Sequence, residues 1–284
     1  MSFGDRLAGV FDSHGRLCVG IDPHEHLLEA WGLTASASGV REFGLAVVEA
    51  AAGRVGIVKP QVAFFERYGS AGYAALEEVL AAAREARLLV IADAKRGDIG
   101  TSVAAYAEAW LTPGSPLEAD AMTISAFQGV GSIAEPVRLA ETAGKGLFVL
   151  AATSNPEAES IQKAIVSTGP RAGATVARAI IDDVTSINQT QPAQAFGTVG
   201  LVLGATVDLS SYGIDTATAS AVATPVLAPG FGYQGAQVRD VARLFGSLAG
   251  GVIVSESRGL LNAGPRALAD AIGNRAAEVR SIDV

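Results

Sequence analysis

The sequence predicts a closed (β/α)8 barrel, the TIM barrel, formed by residues 1–284 as a single domain. Three observations carry this. Eight short apolar runs, rich in β-branched and aliphatic residues, read as strands buried on both faces, as in a parallel sheet. Stretches of helical period lie between them. No composition break or low-complexity linker interrupts the 284 residues, a length that suits one such barrel. An open doubly wound sheet is the alternative, and the strand count favours closure.

The first strand, Leu17–Asp22, is an apolar run that ends on a carboxylate. A helix-period stretch, Glu42–Ala52, leads to the second strand, Val55–Gln61, which carries Lys59. A clear helix, Tyr73–Arg87, precedes the third strand, Leu88–Lys95, and Ser102–Leu111 follows it. The fourth strand, Ala121–Ser125, is short. The fifth, Leu147–Ser154, opens onto a segment, 155–197, longer than a minimal βα unit needs. That segment is expected to hold a helix, Ala174–Asp183, with Asp182 and Asp183 solvated at its end. The sixth strand, Thr198–Thr206, is followed by the Ser/Thr/Ala-rich stretch Val207–Thr224, read as a loop with a short helix. Pro225–Gly230 is the seventh strand, Gln237–Phe245 a helical stretch, and Gly251–Ser255 the eighth strand.

Hydrophobic residues make up 49% of the chain, enough for a substantial core, and charged residues only 18%. A net charge of −8 argues against a nucleic-acid partner. It leaves room for an anionic small substrate in a locally basic site. Cys18 is the only cysteine, so no internal disulfide or cysteine-based zinc cluster forms. Its apolar setting reads as a small buried residue. No apolar run approaches the ~20 residues that span a bilayer, and the first residues lack a signal-peptide core. The protein is therefore read as soluble and cytoplasmic, with no membrane partner.

The densest chemistry lies in Asp93-Ala94-Lys95-Arg96-Gly97-Asp98. Strand alternation puts Ile91, Asp93 and Lys95 on one face, a carboxylate beside an ammonium at the strand's end, with Asp98 just beyond. Charges in an apolar strand are paired or functional. Active sites of such barrels lie at the C-terminal strand ends. Polar residues recur there: Asp22, Lys59, Asp93 with Lys95, Ser125, and the run from Ser255 to Arg258. A purely structural ion-pair network would have to account for each strand end separately.

Gly230-Phe231-Gly232-Tyr233-Gln234-Gly235 matches G-x-G-x-x-G, with Glu256 as an acidic residue downstream. A dinucleotide site is rejected, because the match follows the seventh strand whereas that fingerprint opens its fold. Loops after strands seven and eight of a barrel commonly bind phosphate. Glycines there let N–H groups approach the anion, a helix N-terminus adds its dipole, and Arg258 supplies a charge-assisted contact. A plain glycine turn is the competing reading. His24 and His26 around Glu25 read as solvent-facing loop polarity, since neither an H-E-x-x-H helix nor a cysteine set supports a metal. His14 reads as a surface turn residue, and Trp31 and Trp110 as packing residues. No G-x-S-x-G elbow is present.

On these residues the chain resembles the orotidine 5′-phosphate decarboxylase family. The family's D-x-K-x-x-D-I-x-x-T signature reads here from Asp93 through Asp98 and Ile99 to Ser102. The resemblance continues in Val19–Pro23, Val58–Gln61, Ala228–Gly232 and Ser255–Gly259, covers nearly the whole chain, and is to the family's larger, divergent bacterial branch. It implies decarboxylation of orotidine 5′-monophosphate to UMP and CO2, the last step of de novo pyrimidine synthesis. It implies no cofactor and no metal, and a homodimer whose active site is shared across the interface. Lys95 would donate the proton that replaces the departing carboxylate, and Asp93 would lie against that carboxylate. Asp98 would complete the charge array from the neighbouring subunit. Lys59 would hold the network and contact the ribose, and Asp22 would bind ribose hydroxyls. Ser125 would hydrogen-bond the pyrimidine, and Gly230, Gln234 and Arg258 would grip the phosphate. The family's threonine position holds Ser102, with Thr101 beside it, so one of the two hydroxyls is expected at the ribose. The rival readings are a magnesium-dependent lyase sharing the D-x-K-x-x-D array, a Schiff-base aldolase using Lys59 or Lys95, and a phosphometabolite-binding barrel without turnover. No spare acidic residue is clearly placed to hold Mg²⁺.

Overall fold

Parallel strands that bury both faces are most stable when no edge is left unpaired, and closure achieves this. In the computed structural model, which describes residues 1–191, 194–218 and 222–282, eight parallel strands close in sequence order. They are β1 Leu17–Ile21, β2 Ile57–Pro60, β3 Leu89–Arg96, β4 Ala121–Ile124, β5 Gly146–Ala152, β6 Val199–Leu203, β7 Val226–Pro229 and β8 Val252–Glu256. The seam pairs Leu17 with Val254, which excludes the open-sheet alternative.

Alternation divides the core into two layers. Cys18, Ile57, Ile91, Ala121, Phe148, Val202, Leu227 and Ile253 point into the barrel. Val19, Val58, Val90, Met122, Val149, Leu201, Ala228 and Val254 face the surrounding helices. Continued two residues at a time, the inward rows become polar at the strands' C-terminal ends: Lys59 and Gln61, Asp93, Thr123 and Ser125, Ser255 and Ser257. One fold therefore supplies both an apolar interior and a polar mouth.

A helix that sequence reading did not assign, Phe3–His14, closes the opposite end. Ser2 caps it, accepting from the Asp5 N–H at 3.1 Å. It inserts Phe3 edge-on against Phe148, ring centroids 6.0 Å apart. Gly146 makes room: a Cβ there would sit 2.6 Å from the Phe3 ring.

Other helices pack outside the barrel, and their limits correct the sequence-based ones. The helix expected at Glu42 begins at Ala37, because Ser36 caps it through the Gly39 N–H. Helices Ala134–Ala143 and Gly264–Arg280 were not assigned. The stretch Gln237–Phe245 splits into a 3-10 turn, Val238–Asp240, and a single α-turn, Val241–Phe245. The helix expected at Ala174–Asp183 runs from Val176 to Gln189, capped by Thr175. Asp182 and Asp183 thus lie mid-helix and pair with Arg178 and Arg171 instead of standing solvated at its end. Within Val207–Thr224 a 3-10 helix, Leu209–Tyr212, is present, and residues 219–221 lie outside the described residues. No helix among the described residues is long and apolar enough to cross a membrane.

The departure that matters for function is in β3. Its register against β4 shifts between Ala92 and Arg96, and Lys95 adopts a left-handed backbone, φ +47°. Simple alternation therefore does not place Lys95; a bulge does.

Candidate active site

Asp93 organises the mouth. It is 7% exposed, and its carboxylate accepts four hydrogen bonds. Lys59 Nζ and Gln61 Nε2 donate to Oδ2, each at 2.9 Å. Lys95 Nζ donates to Oδ1 at 2.6 Å and Thr123 Oγ1 at 2.9 Å. Two donors on each oxygen use its full acceptor capacity. Burial alone would push this carboxyl up, but Lys59 and Lys95 outweigh it and hold Asp93 well below the usual carboxylate range. Burial alone would likewise lower Lys59, but Asp93, together with Asp22 at 3.9 Å, raises it above the usual lysine value. The two form a fixed, fully charged pair at neutral pH.

Thr123 ties the bulge to this pair. Its hydroxyl oxygen accepts the Lys95 N–H at 2.9 Å while donating to Asp93. A left-handed non-glycine residue costs about 1–2 kcal/mol, and this tether holds it in place. Arg96, one residue on, points outward to Glu66 at 2.9 Å and to the Tyr73 hydroxyl at 3.1 Å, pinning the strand end. The Lys95 side chain is 46% exposed at the mouth. Of its three N–H donors, Asp93 takes one, leaving two for a ligand.

Asp22 follows β1. Its Oδ2 accepts from Ser257 Oγ at 2.6 Å. Its Oδ1 is buried with no hydrogen-bond donor among the described residues. The residue lines a cleft of about 260 Å³ together with Lys59, Gln61, Gly230, Gln234, Glu256 and Arg258. The Arg258 guanidinium lies 4.4 Å over the Tyr233 ring, which fixes a cation at the cleft's rim. Gly230 turns the chain at φ +118°, a value that favours glycine. The glycine-rich turn then forms a 3-10 helix of three residues, Gly232–Gln234. The N–H groups of Gly232, Gly235 and Ala236 already donate to carbonyls within the turn, and the helix is too short to add an appreciable dipole, so the dipole part of the expectation falls away.

Other expected residues lie apart from this group. Ser125 follows β4, donates its N–H to the Arg96 carbonyl at 2.7 Å, and lines a separate, mostly apolar cavity of about 530 Å³ with Leu150 and Ile180. Asp98 accepts the N–H of Ile99 at 2.8 Å and does not bond to the array of its own chain. Ser102 and Thr101 are exposed in the first turn of helix Gly100–Leu111.

The structure adds Gln61, Thr123 and Ser257, which sequence reading did not single out. Each stands two residues from a chosen position, Lys59, Ser125 and Ser255, so strand alternation was the available signal. His24 is a correction. Its ring packs against Phe64, centroids 4.3 Å apart, and lines the cleft rather than facing solvent. Burial, only partly offset by Asp22, lowers its pKa. Cys18 is buried in the barrel wall, and burial pushes its thiol up to about 12, which leaves it a neutral packing group as expected.

The sequence model of the orotidine 5′-phosphate decarboxylase / HUMPS family matches residues 15–272. An orotidine 5′-phosphate decarboxylase of Salinispora tropica is 48% identical over 268 residues, 94% of this chain and 92% of the relative. That of Streptomyces coelicolor is 46% identical over 282 residues, 98% and 97% of the two chains. A crystal structure of an orotidine 5′-phosphate decarboxylase from Streptomyces avermitilis has a TM-score of 0.90 at 46% identity, covering 99% of this chain and 95% of that one. The OMP decarboxylase of Leishmania donovani has a TM-score of 0.74 at 29% identity, covering 99% of each chain. With a closed barrel, a Lys–Asp–Lys array at its mouth and these relatives along nearly its full length, the chain belongs to the orotidine 5′-phosphate decarboxylase family, carboxy-lyases of pyrimidine biosynthesis.

Proposed function

We propose that this barrel mouth converts orotidine 5′-monophosphate to UMP and CO2 without a metal or cofactor. The observation that carries the reading is the Lys95 ammonium, held 2.6 Å from Asp93 with two donors left over. The order of strands around the rim supports it. Gly230, Gln234 and Arg258 follow β7 and β8, Asp22 follows β1 and Lys59 lies in β2, and Lys95 lies in β3 and Ser125 follows β4. A nucleotide has the same order: phosphate, ribose, base.

Loss of CO2 from C6 of the pyrimidine leaves an electron pair in the ring plane, outside the π system. Preorganised charge must steady it. As the C6–carboxylate bond breaks, its electron pair stays on C6 beside the Lys95 ammonium. That pair then takes a proton from Nζ, giving UMP and a neutral lysine that regains its proton from solvent. Asp93, with all its acceptor positions occupied, orients Lys95 and Lys59 and lies against the departing carboxylate. Oδ1 of Asp22, which has Lys59 at 3.9 Å but no hydrogen bond, suits a ribose hydroxyl. Ser125 reaches the pyrimidine from the flank. Gly230, Gln234 and Arg258 grip the phosphate, whose binding energy draws the loops around the ring.

Asp98 completes the array from the neighbouring subunit of a homodimer, with Ser102 or Thr101 beside it at the ribose. Support comes from its separation from its own chain's array and from exposed Ile99 and Tyr106 on the same segment, apolar surface that a second copy would cover. An acidic chain acting on phosphorylated metabolites works in the cytoplasm.

The test is loss of orotate absorbance with orotidine 5′-monophosphate in the presence of EDTA, with undiminished turnover expected. Loss of activity restored by Mg²⁺ would overturn the metal-free mechanism, and no turnover under either condition would overturn the substrate.

A further inference from the structure

Glu256, the acidic residue downstream of the G-x-G-x-x-G run, has no part in the mechanism above. It ends β8 and is 3% exposed. Its Oε1 fills the crook between two loops. A Cβ built on Gly232, in the loop after β7, would lie 2.2 Å from that oxygen, and so would one built on Gly259, in the turn after β8. Each loop carries one candidate phosphate ligand, Gln234 two residues beyond Gly232 and Arg258 immediately before Gly259. Behind the carboxylate stands Arg275 from helix Gly264–Arg280, its Nε 2.9 Å from Oε2 and an Nη 3.3 Å from Oε1. Arg275 is anchored in turn by Glu278 at 2.6 Å.

A buried carboxylate is an expensive filler unless it is paired, and burial does push Glu256 up, with Arg275 opposing only in part. Mere packing between two loops would be served by an apolar side chain. A charged wedge, anchored from an outer helix and touching both loops with one oxygen, sets a distance instead.

We propose that Glu256, held by Arg275, is a positioning residue that fixes the spacing of Gln234 and Arg258 and so sets the affinity for the substrate's phosphate. This rests on the reading that these two loops bind the phosphate. Glu256 lines the wall of the cleft and Arg275 stands outside it; the pair acts through the loops.

The test compares KM and kcat for orotidine 5′-monophosphate, and inhibition by UMP and by uridine, across Glu256→Asp, Glu256→Gln, Arg275→Met and Arg258→Ala. Glu256→Asp keeps the charge but withdraws the wedge by one methylene. Glu256→Asp and Arg275→Met should raise KM and weaken UMP by at least about tenfold, with kcat and uridine inhibition changed by less than about threefold. The double variant should be no weaker than the worse single one, because both act through one contact. Glu256→Gln keeps the shape and should recover UMP affinity to within about threefold. Unchanged UMP affinity in Glu256→Asp, or equal weakening of UMP and uridine, overturns the proposal, and Glu256→Asp decides alone if Arg275→Met does not fold. Arg258→Ala separates this from its premise. Equal weakening of UMP and uridine by Arg258→Ala would overturn the phosphate assignment itself, whereas a phosphate-selective loss there with Glu256→Asp silent overturns only the positioning role.

Discussion

The barrel carries a buried lysine–carboxylate cluster at each end, and the two differ in what they leave over. At the floor, Lys145 is 2.7 Å from Glu118 and 3.7 Å from Asp120. Asp120 also accepts from Arg6 of the closing helix at 2.5 Å and from the Val90 N–H at 2.9 Å. Arg6 donates in addition to the Gly144 carbonyl at 2.9 Å. At the mouth, Lys59 is as buried as Lys145, each 6% exposed, and as tightly paired. The floor cluster meets its partners inside the protein and is covered by a helix. The mouth cluster adds Lys95, whose side chain is 46% exposed against 8% for Lys145, and an Asp22 oxygen without a hydrogen bond, and it opens to a cleft. A buried ion pair by itself therefore does not mark a site, and an exposed ammonium and a cleft beside it do.

Lys95→Ala should show the contrast most strongly. Without the charge and the proton donor, turnover of orotidine 5′-monophosphate should fall by at least about 10⁴-fold. UMP binding, carried by the other strands, should stay within about tenfold; near-native turnover would end the assignment. The floor counterpart is Lys145→Met, which takes the cation away from Glu118 and leaves Asp120 to Arg6. Urea unfolding should show a loss of about 2–3 kcal/mol, while kcat/KM of the folded enzyme stays within about twofold. A large change in turnover there would erase the distinction between the two ends.

A third measurement asks whether the mouth is complete within one chain. Inactive Asp98→Ala and inactive Lys95→Ala, mixed in equal amounts, should regain about a quarter of wild-type activity, because half the dimers are mixed and each holds one intact site. No recovery despite demonstrated subunit exchange would remove the shared site. The smallest effect is in pH. The native pKa of Asp93 lies below its unfolded value of about 3.9. Its stabilising contribution is thus complete above about pH 4 and is lost as pH falls through the native value. Lys59 behaves oppositely, contributing fully below its unfolded value of about 10.4 and losing this as pH rises through its higher native value. The stability gap between wild type and Asp93→Asn should be flat from about pH 5 to 9 and narrow below about pH 4. A gap that widens in acid would contradict the pairing.

The strand count, the fold class and seven residues of the candidate mouth, Asp22, Lys59, Asp93, Lys95, Gly230, Gln234 and Arg258, were legible in the order of residues. Gln61, Thr123 and Ser257 were within reach of alternation but were passed over, because nothing local says which strand ends meet. The closing helix Phe3–His14 was missed because its apolar face, Phe3, Leu7, Val10 and Phe11, has no meaning until an open barrel end exists to receive it. Strand alternation predicts the Lys95–Asp93 pairing, but a bulge and a left-handed backbone are what deliver Lys95 to Asp93.

What this sequence determined alone were the properties that depend on neighbours along the chain: periodicity, buried runs, and polar residues at their ends. Only the closed barrel decided which donors meet which oxygens of Asp93, that Asp22 keeps one oxygen unmatched, and that Glu256 lies behind two loops. Those outcomes follow from register between strands far apart in the chain, and register is set when the sheet closes and its interior must fill without gaps or unpaired charge.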